Sequence, residues 1–315
     1  MSDIRVSVDN FVRAETNRMF AGVLAANNVA TNEWAHNRVP TPLDNQPVIR
    51  QNRDTLYSAV VVDISEGATL TIPEAQGRYL SAMVVNQDHY INAVLHDAGE
   101  HQLTLERFDT PFVVVAVRIL VEPGEPDDVS VVTALQDQLA IAASSAEPFQ
   151  MPAYEPTTFA ETRDALIKLS EGLDGYGGAF GRRDEVDPIR HLIGTASAWG
   201  GLPEHEAFYQ NVVPGLPVGA YTLTVRDVPV DGFWSVSLYD ADGYFPTDTG
   251  GRVSVNNLTA DQDPDGSVTI HFGGPEGTTN LLPIVEGWNY LVRYYQPRPE
   301  IIDGTWTLPA VTSVD

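Results

Sequence analysis

The chain contains no cysteine, and Lys168 is the single lysine among its 18 lysines and arginines. The missing thiols exclude disulfides, thiolate nucleophiles and thiolate metal ligands. Schiff-base or pyridoxal chemistry would have to use Lys168, whose neighbours have the apolar spacing of an ordinary helix face. The sequence therefore predicts a protein that works without a thiol, a lysine or an organic cofactor.

Positive charge is scarce as a whole. The chain has 43 acidic residues against 18 lysines and arginines, which gives a formal net charge of −25. This charge argues against nucleic acid or an anionic membrane as a partner. An ordinary solvated acidic surface is favoured over adaptation to salt as its explanation. No apolar run reaches the length of a transmembrane helix, and the first residues lack the pattern of a signal peptide, so we expect a soluble, cytoplasmic protein.

Sequence markers of metal and hydrolase sites are also missing. His89, His96 and His101 fall close together, but neither His-x-His nor His-Glu-x-x-His occurs. A calcium loop starting at Asp261 would have Phe272 where its twelfth position needs glutamate, so an Asp-Gly turn is favoured. The Gly-x-Ser-x-Gly motif and the phosphate-binding loop are absent as well. The sequence predicts no metal site.

Apolar patterning predicts a mainly β protein with an α-helical middle. Residues 6–28 have helical spacing, and helices are also predicted at 129–143, 158–171, 187–197 and 204–209. Short alternating or β-branched runs predict strands at 57–64, 68–72, 79–85, 91–95, 102–105, 112–121, 220–225, 232–239, 267–272 and 288–295. Such strands favour two antiparallel β-sandwich, jelly-roll-like domains. We predict a first module at 1–122, a helical connecting region at 123–212 and a second module at 213–315.

Several motifs resemble a known family. Asn-Arg-Asp-Thr-Leu-Tyr-Ser at 52–58, with Gly-Arg-Tyr at 77–79, is similar to domain of unknown function twelve-fifty-four. The usual companion of that domain is domain twelve-fourteen. It is resembled by four later stretches of this chain, at 232–240, 263–267, 293–297 and 303–306. The resemblance implies two β-sandwich domains joined by helices, often in homo-oligomers, and no established activity. The chain departs from the family pattern at 245–252 and at 280–283.

The first of these motifs is also a candidate ligand site. If residues 52–57 are extended, Asn52 and Asp54 share one face, while Arg53 and Tyr57 share the other. Arg53 and Tyr57 would then bind a carboxylate or sugar hydroxyls, with Asn52 beside them. The alternative is structural, with an Arg–Asp pair and an Asn turn fastening the strand. For Asp54 we favour the structural role.

A second candidate lies at the end of the predicted strand 79–85. Asp88 and His89 are adjacent and suit general acid–base catalysis, with Tyr90 as a ligand contact, although a histidine there is often an ordinary surface residue. Trp199 is predicted to line a cavity between the domains. The glycine-rich loop at 175–183 has two arginines that would suit an anion, and a flexible connector is the alternative.

Three functions fit these residues. The first is a small-molecule enzyme of hydrolase or lyase type, in which Arg53 and Tyr57 orient an oxygen-rich substrate and Asp88 or His89 moves the proton. The second is a noncatalytic protein that binds carbohydrates or organic acids. The third is a structural homo-oligomer. The residues alone do not distinguish the enzyme from the binding protein.

Overall fold

A computed structural model describes residues 3–46, 48–247 and 252–314. The chain divides into two compact units, each built from three segments of the sequence. The first unit contains residues 1–37, 57–119 and 133–204, and the second contains 38–56, 120–132 and 205–315. The predicted module boundaries at 122 and 212 stay a prediction.

The described residues form six helices and sixteen strands, so the predicted mainly β fold is confirmed. The helices are α1 (Phe11–Asn27), α2 (Leu105–Phe108), α3 (Pro126–Gln136), α4 (Pro156–Ser170), α5 (Pro188–Ser197) and α6 (Pro299–Ile302). The first eight strands are β1 (Ala35–His36), β2 (Thr55–Asp63), β3 (Ala68–Ile72), β4 (Leu80–Asn86), β5 (Ile91–Leu95), β6 (Gly99–Leu103), β7 (Phe112–Leu120) and β8 (Ala140–Ala143). The others are β9 (Ala207–Val212), β10 (Tyr221–Val225), β11 (Trp234–Tyr239), β12 (Ser254–Asn256), β13 (Val268–Phe272), β14 (Leu281–Leu282), β15 (Asn289–Tyr295) and β16 (Thr312–Ser313).

The first unit is organised around a five-stranded sheet in the order β1-β2-β7-β4-β5, with a three-stranded sheet β6-β3-β8. Strand β4 pairs antiparallel with both β5 and β7. All seven residues of β4 are buried, which explains its nearly continuous apolar sequence. Because β4 ends at Asn86, the turn that leads into β5 carries the candidate residues Asp88 and His89.

The second unit is a sandwich of two four-stranded sheets, β14-β13-β10-β16 and β12-β11-β15-β9. One core contains Leu223 and Ile270 from the first of these sheets and Val236 and Val292 from the second. Within the described residues, the neighbouring strands of these two sheets are antiparallel except β13 and β14, which are parallel. Trp288 is 1 % exposed within this core, so it packs rather than binds.

One predicted helix is too long, and another is wrong. The helix expected at 129–143 ends at Gln136, and Ala140–Ala143 instead form β8, which pairs with β3. The helix expected at 204–209 is replaced by β9, which pairs with β15 along its whole length. In both places cross-strand pairing decides the conformation and overrides the local preference of alanine and glutamate for helix.

The aspartate-rich stretch before Gly266 forms a turn. Asp263 and Asp265 accept hydrogen bonds from the hydroxyl of Ser267, and Asp263 also accepts one from Thr269. Gly266 has a φ of +82°, which glycine adopts without strain. Residues 248–251 of the segment that departs from the family pattern lie outside the described residues. None of the described helices is long and apolar enough to cross a membrane.

Candidate functional site

The turn that follows β4 is shaped by a buried asparagine. Asn86 Oδ1 accepts hydrogen bonds from the backbone N–H of Asp88 at 2.9 Å and of Tyr90 at 3.0 Å. Between them, His89 has a φ of 60°, in the sparsely populated left-handed region. The turn directs His89 inwards, where it is 0 % exposed. The sequence pattern did not single out Asn86, although an asparagine at a strand end is a usual signal of such a turn.

Both ring nitrogens of His89 are used inside the first unit. The backbone N–H of Gly200 donates to His89 Nε2 at 3.0 Å, so this nitrogen carries no proton. Nδ1 then donates to Thr195 Oγ1 at 2.8 Å, and the Thr195 hydroxyl donates onward to the His191 carbonyl. Burial, and secondarily the neighbouring His191, lower the pKa of His89 well below its usual value. His89 is therefore held neutral, with no nitrogen left to accept a proton from a ligand.

The buried neutral state of His89 predicts a specific loss of stability in acid. Below about pH 6.5 the unfolded chain protonates this imidazole and the folded protein does not, so the stability present above that pH is lost as pH falls towards the folded pKa. We expect His89→Gln to reduce the slope of unfolding free energy against pH, between about pH 6.5 and 5, by up to about 1.4 kcal/mol per pH unit. Urea unfolding of both proteins across this range measures the difference. Parallel slopes would show that His89 takes up its proton in the folded protein over the same pH range as in the unfolded chain.

Five side chains of the first unit form one continuous stack. Trp199 stacks on His89 with ring centroids 5.2 Å apart, and His89 stacks on His191 at 5.5 Å. His191 stacks on Tyr90 at 4.8 Å and 7°. The guanidinium of Arg183 lies over the Tyr90 ring at 5.0 Å from its centroid. The stack joins three of the predicted site residues and runs from Trp199, through the buried His89, to the exposed Arg183.

His191 reaches this position from α5. Its Nδ1 lies 3.0 Å from the Ala179 carbonyl and its Nε2 lies 3.0 Å from the Asp88 carbonyl. Helix α5 begins after Asp187, whose carboxylate caps it by accepting from two backbone N–H groups. His191 and Thr195, four residues apart, lie on one face of the helix. That spacing was the available signal for His191, which sequence reasoning missed.

Asp88 occupies the partly exposed side of the same turn. Its carboxylate Oδ1 accepts from Arg13 Nε at 2.6 Å, and the two side chains are 27 % and 41 % exposed, respectively. Helix α1, which carries Arg13, also contacts the turn through Asn17 Oδ1, which accepts from Gln87 Nε2 at 2.9 Å. The two predicted acid–base residues thus have opposite environments, since Asp88 meets solvent and His89 does not.

Arg118 contacts both Tyr57 and Gly200, the residue that follows Trp199. The guanidinium of Arg118 lies 5.5 Å from the centroid of the Tyr57 ring, and its Nη2 donates to the Gly200 carbonyl at 3.0 Å. The indole N–H of Trp199 donates to Thr16 Oγ1 at 3.2 Å. Both predicted ligand residues therefore take part in packing and hydrogen bonding within the first unit.

Asn52 and Arg53 belong to the second unit, whereas Tyr57 belongs to the first. Strand β2 begins only at Thr55, so the alternation of an extended chain does not apply to Asn52 and Arg53. Asn52 Oδ1 accepts from the Asp54 backbone N–H at 2.9 Å, which is the Asn turn considered from sequence. Arg53 Nη1 donates to the Thr41 carbonyl, and burial lowers the pKa of Arg53.

Asp54 is the one acid of this motif and is completely buried, at 0 % exposed. Burial raises the pKa of Asp54, while the charge of Arg293 and, less strongly, hydrogen bonds from the side chains of Ser235, Ser254 and Asn256 lower it. The buried carboxylate is therefore surrounded by polar side chains of β11, β12 and β15.

Arg293 is the buried cation of the same region and was not singled out from sequence. It is 3 % exposed and donates to Ser237 Oγ at 2.7 Å and to Tyr239 Oη at 2.8 Å. It also donates to the carbonyl groups of Arg50 at 2.9 Å and Gln51 at 3.0 Å. Arg293 therefore fastens the segment before β2 to β11.

The comparisons with known proteins agree with the predicted family. Residues 31–96 match the model of a protein of unknown function (DUF1254), and residues 217–299 match that of a second one (DUF1214). The chain thus carries both modules of the paired DUF1254/DUF1214 family, in the order predicted from the motifs. No curated protein matches the chain.

Two solved structures show the same fold. The VPA0106 protein from Vibrio parahaemolyticus is 19 % identical and has a TM-score of 0.77, with 98 % of each chain covered. An uncharacterised protein from Burkholderia cenocepacia is 14 % identical and has a TM-score of 0.53, with 95 % of this chain and 88 % of that chain covered. At these identities the likeness shows the architecture alone.

Proposed function

We propose that the first unit binds a small organic acid, without chemical conversion, at the exposed end of the stack formed by Trp199, His89, His191, Tyr90 and Arg183. The observation that carries this proposal is the position of Arg183. Its guanidinium carbon lies 5.0 Å from the centroid of the Tyr90 ring, and Arg183 has no hydrogen bond or ion pair with another described residue. Stacking uses the face of a guanidinium and leaves the N–H groups at its edge for a carboxylate.

The neighbouring arginine, in contrast, is paired with acidic side chains. Arg182 forms ion pairs with Asp184 at 3.3 Å and with Glu185 at 3.0 Å. In a chain with a net charge of −25, an exposed arginine has acidic residues available to it, and Arg183 has not paired with one. Binding is favoured over catalysis because both ring nitrogens of His89 are already used. Asp88 lies on the same turn as Tyr90, and its side chain is 27 % exposed.

A thermal-shift and calorimetric screen of mono-, di- and hydroxycarboxylic acids, with neutral sugars as a comparison, tests the proposal. We expect at least one acid to bind the wild type and Arg183→Gln to weaken it about 10-fold or more, because a charge-assisted hydrogen bond contributes about 1.5–3 kcal/mol. Arg182→Gln is the matched control and should bind within about twofold of the wild type.

Two results would count against organic-acid binding. The proposal would be wrong if no acid stabilised any of the proteins. It would also be wrong if Arg183→Gln bound an acid as tightly as the wild type does. The enzymatic alternative depends on Asp88, the member of the predicted acid–base pair that meets solvent. Product formation in the same screen that Asp88→Asn abolishes would replace the binding function by a hydrolase or lyase function.

A further inference from the structure

Both ring nitrogens of His191 meet backbone carbonyl groups. Nδ1 lies 3.0 Å from the Ala179 carbonyl oxygen, and Nε2 lies 3.0 Å from that of Asp88. A carbonyl oxygen only accepts hydrogen bonds, so each ring nitrogen needs a proton to bond with its partner. A neutral imidazole has one N–H group and one lone pair, whereas an imidazolium has two N–H groups. Only the protonated form of His191 therefore satisfies both contacts.

His89, the next ring in the stack, shows the opposite pattern. One of its nitrogens meets the backbone N–H of Gly200, and the other meets the hydroxyl of Thr195, which can donate or accept. A neutral imidazole satisfies both of these partners. The two stacked histidines thus differ in the groups that their nitrogens meet, and the difference favours a proton on His191 and a neutral ring at His89.

His191 has little freedom to avoid its two carbonyl partners. It is 4 % exposed, and its ring stacks on those of His89 and Tyr90 with centroids 5.5 Å and 4.8 Å apart, respectively. Turning the ring over would exchange both nitrogens for carbon atoms and lose both hydrogen bonds. In the neutral form, one nitrogen would keep a lone pair directed at a carbonyl oxygen inside the protein, which is unfavourable.

The charged and titratable groups near His191 belong to the turn after β4, to α1, to the loop before α5 and to α5 itself. They are Asp88, His89, Tyr90, Arg13, Arg183, Asp187 and Arg190. Asp88 is paired with Arg13, and Asp187 caps α5, which also carries Arg190. Arg183 has no such partner among the described residues. Its guanidinium carbon lies 5.0 Å from the centroid of Tyr90, so Tyr90 contacts both Arg183 and His191.

We propose that His191 is a proton-binding site of the first unit, and that its proton and an organic acid at Arg183 bind cooperatively. The second part rests on the proposed function. Positive charges on His191 and Arg183 repel each other across Tyr90, and a carboxylate bound at Arg183 offsets that repulsion. Because coupling between two binding sites is reciprocal, a proton on His191 strengthens the binding of the acid.

Nitrogen NMR of the histidine side chains in the ligand-free, full-length protein tests the proton site. An imidazolium gives two similar nitrogen shifts, and a neutral ring gives two widely separated ones. We expect His191 to change to the imidazolium pattern between about pH 8 and 5.5, while His89 keeps the pattern of a neutral ring. His191→Gln assigns the signals. A His191 ring that stays neutral down to pH 5.5 would overturn the proposal.

The charge of Arg183 provides a test of the coupling that needs no ligand. Arg183→Gln removes the repulsion, so the titration of His191 should move to higher pH. Arg182→Gln is the matched control and should move it less, because Arg182 is already paired with Asp184 and Glu185. Equal titrations of His191 in the wild type and in Arg183→Gln would show that the two cations are not coupled.

Calorimetry with tartrate and lactate, which stay ionised above about pH 5.5, tests the cooperation with an acid. We expect binding to the wild type to be at least about threefold tighter at pH 5.5 than at pH 8, and His191→Gln to lose this change. His101→Gln is the control in the same unit and should keep it, since the His101 ring contacts a carbonyl group through Nε2, and a neutral ring satisfies that contact.

The outcomes separate this inference from the proposed function. If no acid binds at any pH, organic-acid binding and its cooperation with the proton are both wrong, and the NMR titration still decides whether His191 binds a proton. If an acid binds with the same affinity at both pH values, the proposed function stands and the cooperation is wrong. If His191→Gln does not fold, a shift of the wild-type His191 titration to higher pH on addition of tartrate or lactate takes its place.

Discussion

Replacement of Arg293 by methionine is expected to lower the free energy of unfolding of the second unit by about 3–5 kcal/mol. The methionine keeps much of the side-chain volume but removes the donors for Ser237, Tyr239 and two backbone carbonyl groups. It also removes the buried positive charge of Arg293, which counteracts the rise in the pKa of Asp54 that burial causes. Calorimetric unfolding measures the loss, and faster hydrogen exchange in β11 and β15 would place it in the second unit.

Arg298→Met is the matched control for this substitution. Arg298 pairs with Asp231 at 2.8 Å, but the two side chains are 53 % and 64 % exposed, respectively. Exposed pairs of this kind contribute little, so the expected change is within about 0.5 kcal/mol. Equal effects of the two substitutions would contradict the view that the buried contacts of Arg293, rather than its charge alone, hold the segment before β2.

The strands that the sequence predicted well are those with an unambiguous apolar pattern. The prediction for Ala68–Ile72 coincides with β3, and that for 79–85 differs from β4 by one residue at each end. The pattern fails where the residues are small or ambiguous. Three of the four residues in Ala140–Ala143 are alanine, a good helix former, and their conformation is decided by pairing with β3, about seventy residues earlier in the chain. No local pattern contains that partner.

The sequence singled out Asp88 and His89 at the end of β4, but it did not predict the contacts that these residues make. The state of His89 depends on Thr195 and Gly200, which are 106 and 111 residues away along the chain. Asp54 was expected to have a structural role, and the cation that influences it most is Arg293, far along the sequence. Contacts of this range arise only from the fold, so single-sequence reasoning could name the residues without their partners.

Gly201→Ala is expected to destabilise the first unit by about 1–3 kcal/mol through overpacking. A Cβ at this position would lie 2.3 Å from Phe180 Cε2 and 2.7 Å from its Cδ2, far inside van der Waals contact. Phe180 is 9 % exposed and packs edge-on against His89, with centroids 5.8 Å apart, so its ring has little room to move. Displacement of Phe180 should also disturb the stack of His89 and Trp199. A difference in tryptophan fluorescence between the folded variant and the folded wild type would report this.

Gly22→Ala provides the opposite expectation in the same unit. Gly22 lies inside α1, and an added Cβ there meets no heavy atom within 4 Å. Alanine is favoured over glycine in a helix interior by about 1 kcal/mol, so this variant should unfold at a higher temperature than the wild type. Thermal unfolding of the two variants, measured side by side, separates a steric effect from a general effect of losing glycine. A stabilised Gly201→Ala would show that Phe180 can move away and that the packing around His89 is looser than its burial indicates.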